Sequence, residues 1–236
     1  MPRRLRLIAL ATALAWSSGS QAISLPDLGD SAETALSRQS EKALGEQTMT
    51  SLRASGAMLN DPEINAYLDA LGHRLVASDP DLAGQHFSFF AVDSNELNAF
   101  ALPGGYIGVH TGLIAATQSE SELASVLAHE ITHVTQRHIA RYMEAQASSS
   151  AMTLAGLVGS IALAVINPTA GIAALQTTLG LSMQSAINYT RDNEYEADRI
   201  GMKTLYDAGF DPMGMANFFQ KLAAEYRYAS KPPEML

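Results

Sequence analysis

The chain has 236 residues, 47% hydrophobic and 17% charged, which is typical of a folded globular protein and excludes a disordered one. Its net charge of −9 argues against a nucleic-acid partner, because such a partner requires a basic surface. Cysteine is absent, so disulfides and thiol nucleophiles are excluded, and any transition-metal site must use His, Asp or Glu.

The first 22 residues have the pattern of a secretory signal peptide. Three arginines near the start precede an apolar stretch, Leu7 to Trp16, that is too short to span a bilayer. Ser20 and Ala22 then supply the small residues that signal peptidases require. We therefore expect cleavage after Ala22 and, in a bacterium, export to the periplasm.

Helices are predicted in the next part of the chain. Ser31 to Ala57 is polar and alanine-rich. Asp61-Pro62-Glu63 is typical of a helix start, with Asp as the N-cap and Pro in the first position. The apolar residues that follow at helical spacing are Ile64, Leu68, Leu71 and Leu75.

Three short strands are predicted after these helices. Alternating apolar residues indicate one strand over His86 to Val92. Two more, Asn98 to Leu102 and Tyr106 to His110, flank the turn Pro103-Gly104-Gly105. Together these segments predict a small antiparallel sheet within a mostly helical α+β fold.

A central helix is predicted from Ser119 to about Gln146. Ser119 and Glu122 have the spacing of a capping box, in which each side chain bonds the backbone N–H of the other residue. The residues expected on its buried side are Leu123, Val126, Leu127, Ile131, Val134 and Ile139.

The middle of that helix carries a metal-binding pattern. His129 and His133 are four residues apart, so they share one helix face and can reach one ion, with Glu130 beside them. Zn²⁺ suits this pattern because it accepts N and O ligands and leaves a position open for water in catalytic sites. Glu130 is then the candidate catalytic base. The alternative is a solvated helix that contains two histidines by chance.

A third ligand is expected on a later helix that ends near Gly209. Glu194 and Asp198 are four residues apart and face the same way, whereas Glu196 points elsewhere. Glu194 has the longer reach and completes a His₂Glu set. Asp198 could support a ligand histidine by accepting the free ring N–H of that histidine. A solvated acidic face, or exchanged roles for Glu194 and Asp198, are the alternatives.

Three blocks of sequence resemble the HtpX and CAAX prenyl protease family of zinc peptidases, and they occur in the family's order. The blocks are NAFALPGGYIGVHTGLI, HEITHVTQRHIAR and RDNEYEADRIG. The resemblance extends from about Leu44 to Leu222. It implies zinc on His129, His133 and Glu194, one ion per chain, with Glu130 as the base. It also implies a gluzincin-like α+β fold with a strand beside the active-site cleft. The candidate substrate-binding residues on that strand are Asn98, Ala99, Phe100, Ala101 and Leu102.

The resemblance also indicates a domain organisation. Residues 23–230 are expected to form the protease domain. Membrane-embedded relatives carry several transmembrane helices, and this chain shows no segment of that length. Periplasmic relatives continue into tetratricopeptide repeats, so residues 231–236 are expected to begin a linker to a missing C-terminal repeat domain, through which outer-membrane assembly machinery would bind.

Two features outside the main motifs have competing interpretations. His138 could support a ligand histidine or be a half-exposed structural residue. The segment Ala151 to Leu181 carries no charge and is broken by Asn167-Pro168, so that each half is shorter than a membrane span. It is either a buried helical hairpin, or an apolar flap or surface that contacts a membrane or an unfolded client.

The sequence therefore predicts a periplasmic zinc endopeptidase that cleaves misfolded or stalled envelope proteins and is linked to outer-membrane protein assembly. The alternative is a chaperone-like assembly factor with little proteolytic turnover. A purely structural metal domain is a third reading, and Glu130 argues against it because a structural site has no use for a base.

Overall fold

The computed structural model describes residues 31–145 and 183–229, together with Gly156, Ser160 and Leu163. The predicted signal peptide, almost all of the apolar segment Ala151 to Leu181, and residues 231–236 lie outside the described residues.

The described part of the chain is mostly helical, with one small sheet and a short 3₁₀ turn at Pro80–Leu82. The helices are α1 (Ser31–Ala35), α2 (Arg38–Ser55), α3 (Pro62–Val76), α4 (Thr111–Ala116), α5 (Glu120–Thr135), α6 (His138–Ala145), α7 (Met183–Asp207) and α8 (Met213–Ala229). The strands are β1 (Ser88–Val92), β2 (Ala99–Leu102) and β3 (Tyr106–His110). The predicted α+β class is confirmed.

The main core surrounds α5, which packs against α3, α7, α8 and the sheet. Leu68, Ile107, Leu127, Ile131 and Phe218 are among its fully buried side chains. Burying a side chain of this size contributes about 1.5–3 kcal/mol, so these contacts fix the position of the helix that carries the HExxH motif.

Local capping chemistry sets two helix starts. Asp61 is the N-cap of α3 as predicted, and its Oδ1 accepts bonds from the backbone N–H groups of Glu63 and Ile64 at 3.0 and 3.2 Å. Ser119 caps α5 by accepting from the Glu122 N–H at 3.2 Å. The predicted reciprocal bond is replaced, because the Glu122 carboxylate accepts from the Gln118 N–H at 2.7 Å.

The predicted antiparallel sheet is wrong in one respect: the sheet is mixed, with strand order β1-β3-β2. β3 lies in the middle, antiparallel to β2 and parallel to β1. Alternation of apolar residues has the same period in both kinds of pairing, so it carries no information on direction. Of the connections that set strand direction, only the β2–β3 turn could be predicted from the sequence. Its Gly104 and Gly105 have φ values of 79° and 86°, which favour glycine.

The predicted central helix is broken. It ends at Thr135, and α6 begins at His138 after a turn in which Arg137 has a φ of 53°. Arginine is a good helix former, so the sequence carries no local stop signal here. Tertiary contacts decide the break: the buried Arg137 guanidinium pairs with Glu33 at 2.9 Å and Glu41 at 3.3 Å, which lie on α1 and α2.

One ion pair ties α8 to the start of α5. Lys221 donates to the buried Glu122 carboxylate at 2.7 Å and to the Ala116 carbonyl at 2.9 Å. Burial alone would raise the pKa of Glu122, but the bonds from Lys221 and from the Gln118 N–H hold that pKa below its ordinary value.

We expect Lys221→Met to lower the free energy of unfolding by about 3 kcal/mol at neutral pH, because it leaves a buried carboxylate unpaired. The lowered pKa means that this contribution is present near pH 7 and is lost as the pH falls through the folded-state pKa of Glu122. Urea unfolding at several pH values should therefore show the difference from wild type shrinking in acid. Lys203→Met, which removes an exposed pair with Asp207, is the matched control and should change little. If the free energy of unfolding of Lys221→Met stayed equally far below that of wild type in acid, this account would be contradicted.

Candidate active site

Three candidate metal ligands converge from two helices. His129 and His133 lie one turn apart on α5, and Glu194 faces them from α7. The two Nε2 atoms are 3.0 Å apart, and Glu194 oxygens lie 3.2 Å from the first and 3.6 Å from the second. In a tetrahedral zinc site with ligand bonds of about 2.05 Å, ligand atoms are separated by about 3.3 Å. The arrangement therefore fits a small cation.

A close approach of α7 to α5 makes this convergence possible. Gly201 lies one turn beyond Asp198. A Cβ added there would be 3.1 Å from the backbone nitrogen of His129 and 3.2 Å from the carbonyl carbon of Ala128. A Cβ there would be closer to the α5 backbone than nine in ten real Cβ contacts, so the neighbouring backbone would have to shift by a few tenths of an ångström. Glycine therefore lets α7 pack against α5 beside the first ligand histidine.

Asp198 lies where it can orient His129. Its Oδ1 is 2.9 Å from His129 Nδ1 and accepts that ring N–H, which leaves a lone pair on Nε2 facing Glu194. A Glu194 oxygen is an acceptor as well, and His133 Nε2 is one in the tautomer that carries its proton on Nδ1. Only a proton or a metal cation can satisfy such a group, so the donor set fits a metal.

The electrostatics of the site also favour a cation. Burial would lower the pKa of His129, but hydrogen bonds with Asp198 and Glu194, with Glu130 close by, raise it to about 10. Burial and the neighbouring charge on His129 lower the pKa of His133. Burial raises the pKa of Glu130 to about 7. The acidic side chains therefore create a negative potential at the point where the ligand atoms meet.

Glu130 lines the same cleft, which has a volume of about 900 Å³. Its carboxylate accepts a hydrogen bond from the Ala101 N–H on β2. Within the part of the chain that the structure describes, β3 is the one strand that pairs with β2, which makes β2 an edge strand there. The His110 N–H donates to the Asn98 carbonyl at 3.0 Å, so residues 98, 100 and 102 turn their backbone groups toward β3. Ala99 and Ala101 then present theirs to the cleft.

A third histidine joins the group. His138 Nδ1 lies 2.8 Å from His133 Nδ1, and its Nε2 lies 3.2 Å from a Glu196 oxygen. Arg141 donates to that same oxygen at 2.6 Å and lowers the pKa of Glu196. Sequence analysis missed Glu196, because it points away from the face that carries Glu194. The spacing of α7 could not show that α6 lies alongside that other face.

His110 lies behind the cleft strand rather than at the metal ligands. It is fully buried at the end of β3, and its ring packs edge-on against Phe100 at 5.9 Å. Burial lowers its pKa, and the nearest acid, Glu96, lies 3.8 Å from Nδ1. Its contacts support β2 and fit a structural role.

The sequence matches the profile of Peptidase family M48 over residues 62–235. The chain belongs to this family. Family membership confirms the resemblance inferred from the three sequence blocks and the predicted enzyme class, a metal-dependent peptidase.

Similar proteins support the same assignment. The chain is 54% identical over 214 residues to the "Putative beta-barrel assembly-enhancing protease" of Vibrio cholerae, covering 91% of this chain and 44% of that protein. It is 47% identical over 212 residues to the "Beta-barrel assembly-enhancing protease" of Escherichia coli, covering 90% and 43%. It is 27% identical to the Escherichia coli "Metalloprotease LoiP", covering 88% and 75%. The chain thus spans less than half the length of the two assembly-enhancing proteases. Among the described residues, no helix has the length and apolar character of a membrane span.

The geometry predicts distinct effects for the metal-site side chains. His133→Ala and Glu194→Ala should lose bound metal, because each removes one of the converging atoms. Asp198→Asn should retain a site of roughly 10–100-fold lower affinity, since it disturbs only the orientation of His129. Metal analysis of purified protein checks this, with the exposed Glu63→Gln as a control. Full metal in Glu194→Ala together with none in Asp198→Asn would reverse the two roles.

Proposed function

We propose that the protein is a zinc endopeptidase that hydrolyses peptide bonds in misfolded or stalled envelope proteins and takes part in outer-membrane protein assembly. One observation carries the proposal: His129, His133 and Glu194 converge in a cleft that also contains Glu130 and the free edge of β2. A metal site, a base and an unpaired strand edge in one cleft fit the hydrolysis of an extended peptide.

Zinc is the metal that the donor set favours. Two imidazole nitrogens and one carboxylate oxygen form the His₂Glu set of zinc peptidases, and they leave a fourth tetrahedral position for water. Ca²⁺ and Mg²⁺ prefer all-oxygen sets, and sites selective for Cu(I) use thiolate or thioether ligands, which are absent from this group. We expect one ion per chain, held by His129, His133 and Glu194.

Bound zinc would supply Lewis acidity, lowering the pKa of a water molecule and polarising the scissile carbonyl. The Glu130 carboxylate is placed to take a proton from the attacking water and to deliver it to the departing amine. The Ala101 N–H holds that carboxylate toward the cleft.

The substrate is proposed to bind as an added strand. Ala99 offers its backbone N–H and C=O, and Ala101 its C=O, to an extended peptide, while the Ala101 N–H donates to Glu130 beside them. Backbone pairing is independent of side-chain identity, and it requires an unfolded segment. This mode of binding favours misfolded or unassembled proteins over folded ones.

Location and partners rest on the sequence pattern and on the names of relatives. The signal-peptide pattern of residues 1–22 supports export to the periplasm. Two relatives are named as proteases that enhance β-barrel assembly, which supports envelope proteins as substrates. Contact with a membrane or client through Ala151 to Leu181 remains part of the proposal.

Glu130→Gln should lose peptide cleavage while keeping zinc. The substitution removes the base but spares the three ligands, so kcat/KM should fall by roughly 10²–10⁴. The measurement pairs metal analysis with cleavage of an unfolded protein substrate, and the exposed Glu120→Gln on the same helix is the control. Cleavage by the zinc-loaded variant at the wild-type rate would remove Glu130 from the mechanism.

A peptide hydroxamate should bind with its hydroxamate at the metal ligands and its backbone alongside β2. A crystal structure of the complex tests this. The expected contacts are hydrogen bonds to the N–H and C=O of Ala99 and to the C=O of Ala101, in either strand direction. A peptide bound far from residues 98–102 would contradict the proposed strand addition.

A second function is supported by the names of the two assembly-enhancing relatives, which describe an enhancer of β-barrel assembly. A chaperone-like factor would bind unfolded envelope proteins on the same strand edge and cleave them rarely. Glu130→Gln separates the two functions: an assembly factor keeps its effect on outer-membrane protein assembly without cleavage, whereas a protease loses it.

A further inference from the structure

The break between α5 and α6 changes what His138 can contact. In a continuous helix, residues five positions apart are rotated by about 140° from each other, so His138 would point away from His133. The turn at Gln136 and Arg137 reverses this relation. It brings His138 Nδ1 to 2.8 Å from His133 Nδ1.

The N-terminal helices hold this turn in place. Arg137 adopts a φ of 53°, a conformation that residues other than glycine rarely adopt. Its buried guanidinium donates to the Leu36 carbonyl and pairs with Glu33 and Glu41. Contacts from α1 and α2 therefore fix the backbone that precedes His138.

The far side of His138 sets the direction of the hydrogen bonds. Arg141 donates to Glu196, and the ionised Glu196 carboxylate can only accept, so His138 Nε2 carries a proton and donates it. In the neutral ring His138 Nδ1 is then an acceptor, and it takes the Nδ1–H of His133. His133 is left with a lone pair on Nε2, the atom that faces Glu194.

We propose that His138 and Glu196 are positioning residues that fix the ring orientation and tautomer of His133 for metal binding. The inference rests on the proposed zinc site. Asp198 does the same for His129 through a direct bond, whereas His133 is reached through an intervening histidine. Glu196 lies on a different face of α7 from Glu194, and His138 bridges the distance between that face and His133.

The chain offers variants that separate this role from simple packing. His138→Leu removes both hydrogen bonds. His138→Gln can keep them in the same direction, because its amide oxygen can accept from His133 and its amide NH₂ can donate to Glu196. Glu196→Gln keeps the shape but loses the acceptor-only character that sets the tautomer. Asp207→Asn removes an exposed acid from an ion pair with Lys203 on the same helix and is the matched control.

The experiment measures the zinc dissociation constant of the full chain by competition with a chromophoric chelator. The absorption spectrum of the Co²⁺-substituted protein is recorded beside it, and circular dichroism reports the fold. We expect His138→Leu to weaken zinc binding roughly 10–100-fold and to alter the Co²⁺ spectrum. Glu196→Gln should weaken it less, His138→Gln should recover most of the affinity, and Asp207→Asn should match wild type.

Several results would overturn the inference. Wild-type zinc affinity in folded His138→Leu and Glu196→Gln would do so, and so would an equal loss in His138→Gln and His138→Leu. If His138→Leu does not fold, the other two variants decide. Wild-type zinc affinity in Glu196→Gln would overturn the inference. Weakened zinc affinity in Glu196→Gln, together with near wild-type zinc affinity in His138→Gln, would support it. A wild-type protein that binds no zinc would defeat the proposed function as well, whereas a tight wild-type site that ignores both substitutions defeats only this inference.

Discussion

The close packing of α7 against α5 is the constraint on which the rest of the site depends. Gly201 allows the two backbones to approach beside His129, and this distance decides whether Glu194 can reach the two histidines. The hydrophobic core holds α5 from its other sides, so the candidate ligands His129 and His133 are presented on a rigid element. The reach of a single glutamate side chain then completes the group.

Local chemistry and the metal-ligand pattern could be predicted from the sequence, and the other contacts between distant segments could not. The helix start at Asp61, the Gly104-Gly105 turn and the spacing of His129 and His133 each depend on residues within one or two turns of the chain. By contrast, the direction of β1 and the break at Arg137 depend on partners far away in sequence. Periodicity contains no information about such partners.

Glu196 illustrates the same limit within the site. The helical spacing of α7 correctly separates it from Glu194 and Asp198, and that spacing alone gives no reason to include it in the site. Its contact with His138 exists only because α5 ends at Thr135 and α6 turns back. That ending is held by Arg137 and the acids of α1 and α2. A candidate residue of the site thus depends on four separate segments of the chain.

The arrangement of charge links stability to metal binding. Glu130, Glu194 and Asp198 surround two imidazoles whose Nε2 atoms lie 3.0 Å apart. Like charges and facing lone pairs destabilise such a cluster, and a single proton on His129 offsets only part of the negative charge. A divalent cation held by these side chains would offset more of it, and it would bind only the folded arrangement, because the unfolded chain does not preserve the site. The acidic side chains proposed for catalysis are therefore the ones whose mutual repulsion a bound cation would reduce most. Without the cation, the packing of α7 on α5 must offset that repulsion.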